Sequence, residues 1–201
     1  MLEGDSVIMM DAMTAIRSRH SVRKYQTKQI SRSDMETIIE AGLRAPNAGG
    51  RQGSIIVGVH DAKITEQLGK LNIAKFDRSA LLGAYVSDEQ PSIIDDPTIK
   101  SGFYGAPSVC VIFGPEDFLY SVADAFCCAE NMTVAATSLG ISSCIIARGE
   151  ETFDNPEGRK FLADWEIPGG YIARCFVLLG YIDGAEPSPK KLHEGRFRIV
   201  D

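Results

Sequence analysis

Apolar residues recur at helical spacing in the first part of the chain. Met13 and Ile16 share one face of a predicted helix over residues 9–18, and Asp11 stands where an N-cap belongs. The arginines that follow lie after the C-terminal end of this helix. The pattern therefore predicts a short helix that delivers a basic segment.

A second helix is predicted from residue 33 onward. Ser33 and Glu36 have the spacing of a capping box, and Pro46 ends the helical pattern. The apolar stripe of this helix consists of Met35, Ile38, Ile39 and Leu43. A loop rich in glycine follows, so this second helix positions that loop.

Three continuous apolar segments, residues 54–59, 108–113 and 174–179, are rich in β-branched side chains. This composition predicts interior strands that share one sheet. Residues 118–139 predict a helix that is apolar on most sides and ends at Gly140, a residue suited to the C′ position. Such a helix belongs in a central position or in a dimer interface.

Size and charge limit the function classes. The chain has 201 residues and 44% hydrophobic residues, which predicts a single domain over residues 1–201. Its net charge of -6 argues against nucleic acid as a partner, because nucleic-acid binding requires a basic face. A basic cluster in an acidic protein favours a small anion instead.

The remaining composition indicates a cytoplasmic protein. The first ten residues lack the basic start and apolar stretch of a secretory signal. The most apolar segment, residues 122–139, contains Asp124 and Glu130, so we expect a buried helix and no membrane span. The five cysteines are odd in number and lack metal-ligand spacing, which predicts reduced core thiols and no metal.

Candidate chemistry is concentrated in two segments. Residues 17–25 contain three arginines, a histidine and two serines, and residues 44–52 form a loop with two adjacent glycines. Guanidinium groups bind phosphate oxygens through paired charge-assisted hydrogen bonds, and glycines allow the backbone to approach a planar ligand closely. Together the two segments predict a site for a phosphorylated cofactor.

These segments carry a resemblance to a known family. Residues 19–23 (Arg-His-Ser-Val-Arg) and 45–52 (Ala-Pro-Asn-Ala-Gly-Gly-Arg-Gln) resemble the two N-terminal signatures of the nitroreductase family of FMN flavoproteins. Residues 124–146, with the C-terminal segments 180–181 and 189–200, resemble later parts of the same family. The resemblance implies an α+β fold of three α/β/α layers, with a mainly antiparallel central sheet flanked by helices. It also implies an intertwined homodimer with shared flavin sites.

The resemblance assigns the basic residues to the two ends of FMN. It places Arg19, His20 and Ser21 near the phosphate and ribityl chain, and Arg23 at the N1/O2 edge of the flavin ring, where a cation favours the anionic reduced ring. Lys190 matches a family lysine near the phosphate. Leu192 stands where many relatives carry arginine, and the phosphate contact can come instead from Arg196, for which an exposed tail is the alternative interpretation. Arg17 and Lys24 are interpreted as surface residues.

The glycine loop matches family positions that reach the flavin from the opposite subunit. The matching residues are Pro46, Asn47, Ala48, Gly50 and Gln52. An ordinary turn between helix and strand is the alternative. The family frequently has asparagine in place of Gly50 and Pro-Trp in place of residues 53–54, which predicts a roomier site here.

Ile145, Ile146 and Ala147 resemble the family's wall against the flavin ring, where backbone N–H groups approach N5 and O4. A plain core strand is the alternative. Asn72 is a further candidate for the pyrimidine edge of the ring. Residues 88–100, with two prolines and four aspartates or glutamates, predict a mobile loop or lid.

The resemblance implies an FMN-dependent oxidoreductase. NAD(P)H is the expected co-substrate, and the acceptors are nitroaromatics, quinones or activated alkenes reduced by a ping-pong hydride mechanism. No side chain need act as a nucleophile, because the chemistry occurs at flavin N5. The alternatives are a flavin carrier or sensor, and a specialised family enzyme such as a dehalogenase or a flavin-fragmenting enzyme.

Overall fold

The computed structural model describes residues 10–77, 79, 85–86, 88–187 and 191–200. Six helices and four strands are assigned in these ranges. The helices are α1 (Ala12–Ser18), α2 (Arg32–Leu43), α3 (Ala62–Ala74), α4 (Ser121–Ser138), α5 (Gly149–Phe153) and α6 (Pro156–Asp164). The strands are β1 (Ile55–Val59), β2 (Ser108–Pro115), β3 (Ser142–Ile146) and β4 (Tyr171–Gly180).

The four strands form one antiparallel sheet in the order β1-β2-β4-β3. The prediction that three apolar segments share a sheet is confirmed, since they correspond to β1, β2 and β4. The prediction of an interior position is wrong for β1, which forms one edge and is only half-buried over residues 55–57. The other edge is β3, which the apolar pattern did not predict, although it contains Ile145 and Ile146, for which a core strand was the alternative interpretation.

Alternation along the central strands builds a core on each face of the sheet. Cys110 and Ile112 point to the side covered by α2 and α4, whereas Val109 and Val111 point to the side covered by α3, α5 and α6. These residues are fully buried. The three α/β/α layers of the predicted fold are therefore confirmed.

The helix starts confirm one predicted cap and correct the other. Asp11 caps α1, where its Oδ1 accepts hydrogen bonds from the backbone N–H of Met13 at 3.0 Å. Ser31 caps α2, because Ser31 has extended backbone angles and its Oγ accepts from Asp34 N at 3.0 Å, whereas Ser33 already lies inside the helix. The capping-box prediction was thus two residues too late.

Some apolar side chains that were predicted to pack are exposed in the single chain. Met13 and Ile16 of α1 are about half-exposed, contrary to the predicted packing face. Helix α4 packs on the sheet and on α2, yet its Val122 and Phe126 remain partly exposed. Gly140 has a φ of 70°, as the predicted C′ position requires.

The five cysteines are all free thiols. Four of them are buried, in agreement with the prediction of core thiols. Cys127 is exposed, because it lies on the outer side of α4, and the prediction is wrong for this residue.

Candidate functional site

The segment that follows α1 runs along the β3 edge of the sheet. Ser21 forms a parallel bridge with Ser143, and Val22 N donates to Ser143 O at 3.0 Å. This backbone pairing places Ser21 and Arg23 beside Cys144 and the residues that follow it. Two of the segments predicted to form the site are therefore adjacent in the chain's own fold.

A cavity of about 200 Å³ opens beside this junction. All three residues of the predicted ring wall line it, together with Arg23 and Asn72. Its remaining lining residues are Phe76, Val86, Ser92, Ile93, Ile94, Gly102, Tyr104, Cys144 and Arg148. Among the described lining residues there are two guanidinium groups and no carboxylate, so the cavity is cationic in an acidic protein.

Arg23 is held through its backbone. Its backbone N–H donates to Gln90 Oε1 at 2.7 Å, which connects it to the 88–100 loop. Burial raises the pKa of the Tyr104 hydroxyl, and the hydrogen bond from Ile93 N and the charge of Arg23 oppose that shift. Burial also raises the pKa of the Cys144 thiol, again opposed by the charge of Arg23. The guanidinium therefore acts on the groups at this wall.

Asn72 holds the ring wall in place from α3. Its Nδ2 donates to Thr152 Oγ1 at 2.9 Å and to Ala147 O at 3.3 Å, and the side chain is buried. A Cβ at Gly102 would lie only 2.3 Å from Asn72 Oδ1, so a larger residue at 102 would displace the amide. This arrangement makes Asn72 a support for Ala147.

Arg148 is a cavity residue that the sequence reasoning missed. It has a φ of 68°, and its Nη2 donates to Asn72 O at 2.8 Å. Its Nε donates to Glu151 Oε2 at 2.9 Å, and its guanidinium lies 4.5 Å from the ring centroid of Phe76. Nη1 is buried and has no hydrogen-bond partner in the described part of the chain. Its position directly after the predicted wall was the only available signal.

The residues predicted for the phosphate end face carboxylates. Arg19 Nε lies 3.7 Å from Glu130 Oε1, and His20 Nε2 lies 2.8 Å from Glu186 Oε2. The side chains of Arg19 and His20 are each 29% exposed, although the Nε2 atom of His20 is itself buried. An anionic ligand at these residues would compete with the two carboxylates.

A second, larger cavity of about 720 Å³ lies on the other side of Arg23. Residues 89–99 and 183–187 form most of its walls, and Glu89, Asp96, Asp183 and Glu186 contribute carboxylates. Arg23 and Lys24 line it as well, so four carboxylates face two cations and its lining is net negative, unlike that of the smaller cavity. The 88–100 loop thus separates two spaces of opposite charge, and it contains no helix or strand, although its predicted mobility stays a prediction.

The glycine loop lies at the β1 edge, away from the cavity. Ala48 N donates to Asp124 Oδ1 at 2.9 Å, and Gln52 N donates to Asn47 Oδ1 at 2.8 Å. Gly50 has a φ of 63°, as predicted for a loop that needs glycine. Pro46 is exposed at its start. Three strand spacings, about 14 Å, separate the two edges of the sheet.

The remaining predicted residues lie toward the C-terminus. Lys190 is outside the described residues. Arg196 is exposed, in a segment over residues 191–200 that is exposed throughout. The structure therefore leaves the phosphate assignments of Lys190 and Arg196 as predictions.

Two searches of the described residues gave negative results. No group of three or more histidine, cysteine or acidic side chains in those ranges is arranged to hold a metal ion. None of the helices in the same ranges has the length and apolar character needed to cross a membrane.

Comparisons with known proteins agree with the geometry. The model of the Nitroreductase family matches residues 16–181. A protein of Archaeoglobus fulgidus, provisionally named NADH dehydrogenase/NAD(P)H nitroreductase, is 26% identical over 174 residues, which is 86% of each chain.

Two solved structures share the fold over nearly the whole length. A nitroreductase with bound FMN from Bacteroides fragilis NCTC 9343 is 30% identical, with a TM-score of 0.75 and coverage of 96% of this chain and 100% of that one. A nitroreductase with bound FMN from Desulfitobacterium hafniense DCB-2 has a TM-score of 0.76 at 22% identity, with the same coverage. The second similarity concerns the fold alone.

Proposed function

Because the chain belongs to the nitroreductase family, we propose that residues 1–201 form one FMN-binding domain of an NAD(P)H-dependent oxidoreductase. The proposal rests above all on one observation. The basic segment at Arg23 and the apolar wall at Ile145–Ala147 meet at a single cavity that contains two guanidinium groups and, among its described lining residues, no carboxylate.

The residues at this cavity fit FMN. Ile145 and Ile146 offer an apolar face to a planar ring, and the guanidinium group of Arg23 suits a ring that becomes more negative on reduction. We assign Arg19, His20 and Ser21 to the phosphate end. FMN, when bound, supplies the two-electron chemistry.

The chain's own residues orient and insulate the reaction. Gln90 holds the backbone of Arg23, while Asn72 holds Ala147. Ile93 and Ile94 add apolar surface that keeps water from one side of the cavity. Tuning of the cofactor's electronics by such fixed charges is the contribution expected of the protein.

A homodimer with shared sites completes the proposal. The predicted loop contacts at Pro46, Asn47, Ala48, Gly50 and Gln52 lie at the wrong edge of the sheet to reach the cavity of their own chain. Apolar side chains are exposed on α1, on α4 and in residues 191–200, where Leu192 is 85% and Val200 91% exposed. A second copy that covers these surfaces would bring its loop to the cavity.

We propose a ping-pong order for the reaction. NAD(P)H would bind, transfer a hydride to the bound FMN and leave as NAD(P)+, and a nitroaromatic, quinone or activated alkene would then take its place and accept the two electrons. We assign delivery of the accompanying proton to water, because the described lining residues include no carboxylate or histidine and the hydroxyl of Tyr104 already accepts a hydrogen bond from Ile93 N. Both substrates bind at the same open side of the cavity, so the first must leave before the second can bind.

Anaerobic mixing tests the proposal. Purified protein loaded with FMN is mixed with NADH or NADPH, and absorbance near 450 nm is followed. Rapid bleaching, reversed by nitroaromatic or quinone, is the expected result, and parallel double-reciprocal plots would support the ping-pong order. Persistent oxidised flavin would identify a carrier or sensor instead, and protein that does not take up FMN would contradict the whole proposal.

A further inference from the structure

We propose that Arg148 is a second redox-tuning residue, which donates a hydrogen bond from Nη1 to an oxygen of the bound flavin ring and binds the reduced ring more tightly than the oxidised one. This inference rests on the proposed function. It goes beyond the assignment of Arg23, and neither the basic segment nor the glycine loop contains Arg148.

The partnerless nitrogen is the first observation. Nε and Nη2 of Arg148 each have an oxygen partner, at 2.9 and 2.8 Å, whereas Nη1 is buried without one. A buried charged donor without an acceptor is unfavourable, because it has lost its water and gained nothing in return. A ligand oxygen at this position would restore the missing hydrogen bond.

The fixed position of the guanidinium is the second observation. Asn72 O and Glu151 hold two of its nitrogens, and its Cζ lies over the ring of Phe76, 4.5 Å from the ring centroid. Thr152 Oγ1 donates to Arg148 O at 2.9 Å and so supports the left-handed backbone at Arg148, whose φ is 68°. The guanidinium is therefore oriented before the ligand arrives, and only the groups that cover the buried Nη1 need to move for a ligand oxygen to reach it.

The difference in exposure between Arg148 and its partner Glu151 is the third observation. The Arg148 side chain is 20% exposed, whereas that of its partner Glu151 is 54% exposed. Water screens the carboxylate more strongly than the guanidinium, so the field in the cavity remains positive. Arg148 and Arg23 act together on the same space, which no described acidic side chain lines.

These observations predict differential binding. The oxygens of a conjugated ring carry more negative charge after reduction, so a fixed cation stabilises the reduced ring more than the oxidised one. A residue that only supported the fold would weaken the binding of both states equally. The ratio of the two affinities is therefore the informative quantity.

The experiment compares Arg148→Gln with Glu151→Gln in the full chain. The dissociation constants of oxidised and reduced FMN are measured anaerobically for each variant, with the midpoint potential as a second readout. Arg148→Gln should lower the preference for the reduced state about tenfold, which is 29.6 mV for a two-electron couple. Glu151→Gln should keep or increase that preference, since it removes a negative charge and retains an oxygen for Nε.

A third variant guards against simple loss of structure. Arg148→Lys retains the charge without the planar fork, and it should recover part of the lost preference. Equal weakening of both flavin states in Arg148→Gln, or a fall in preference in Glu151→Gln, would overturn the inference while the proposed function stands. Failure of the wild-type chain to bind FMN would overturn both.

Discussion

The two edges of the sheet build their parts of the predicted site in different ways. At the β3 edge, backbone pairing between Ser21 and Ser143 joins the basic segment to the ring wall. At the β1 edge, side chains hold the loop, with Asp124 accepting from Ala48 N and Asn47 from Gln52 N. One half of the site is thus assembled within the chain, whereas the other half faces away from it.

The two halves of the site are therefore held in place by different kinds of contact. The β3 edge is part of the sheet ladder and shares the rigidity of the core. The β1-edge loop depends on two side-chain acceptors and on left-handed glycines. We infer that the second half becomes a site only when another copy of the chain presents it.

Co-expression of two inactive variants tests the difference between the two sheet edges. We expect the largest effect on activity in this experiment. Arg23→Ala damages the β3-edge half and Gly50→Val the β1-edge half, so each variant alone should lose most of its activity. When the two are co-expressed, random dimers should recover roughly a quarter of wild-type turnover, because each mixed dimer contains one intact site.

The matched control combines two variants of the same half. Arg23→Ala with Arg19→Ala leaves every site damaged, and this pair should recover nothing. Recovery in the control, or none in the test pair, would show that the two halves do not meet between chains.

Substitution of a glycine should lower the free energy of unfolding more beside the ring wall than in the glycine loop. A Cβ at Gly149, beside the ring wall, would lie 2.5 Å from Ala173 O, whereas a Cβ at Gly50 has nothing within 4 Å. We expect Gly149→Ala to lower the free energy of unfolding by about 3 kcal/mol. Gly50→Ala should cost about 1 kcal/mol through backbone strain alone. Urea unfolding measures both, and equal losses would contradict the difference in rigidity.

Removal of Arg19, the cation proposed for the phosphate end of FMN, should have the next largest effect. Arg19→Ala is expected to weaken FMN binding by about 1.5 to 3 kcal/mol, the range for a hydrogen bond to a charged group. Arg17→Ala is the matched control, because Arg17 is an exposed residue in the last turn of α1. Calorimetric titration with FMN checks both variants. Equal effects at the two positions would remove Arg19 from the site.

The sheet that separates the two regions predicts an effect that is absent at neutral pH and develops only under alkaline conditions. Burial raises the pKa of the Cys110 and Cys175 thiols to about 12. Above pH 9 the unfolded chain releases these protons and the folded chain retains them, so stability is full below pH 9 and falls as the pH rises toward 12, by up to about 1.4 kcal/mol per unit and thiol.

Urea midpoints between pH 8 and 10.5 would measure this slope. The variant Cys110→Ala should show a shallower slope, whereas Cys127→Ala, at an exposed position, should retain it. A wild-type slope unaffected by Cys110→Ala would show that other groups control alkaline stability.

Apolar periodicity sufficed for the elements with strong patterns. It predicted α1, α2 and α4 and the strands β1, β2 and β4. Helix α3 was missed because its buried positions include Thr65, Gly69 and Asn72, which give no apolar stripe. Strand β3 was predicted only as an alternative for its last two residues, because it begins with two serines and has only three apolar residues.

The same limits apply to the candidate site. The resemblance to a family identified the basic segment and the ring wall, and the structure brings them together. Arg148 escaped notice because a lone arginine after a strand usually lies in solvent. Its significance comes from contacts with Asn72 and Phe76, which are more than 70 residues away in sequence. Pattern alone cannot supply contacts of that range.

Helix α4 contacts both halves of the site. Asp124, near its start, holds the loop at Ala48, and Glu130, further along, faces Arg19. Insertion of a single residue between these two acids would rotate one against the other by about 100° around the helix axis. Substitutions between residues 124 and 130 therefore preserve the relative orientation of the two acids, whereas an insertion or deletion there would destroy it.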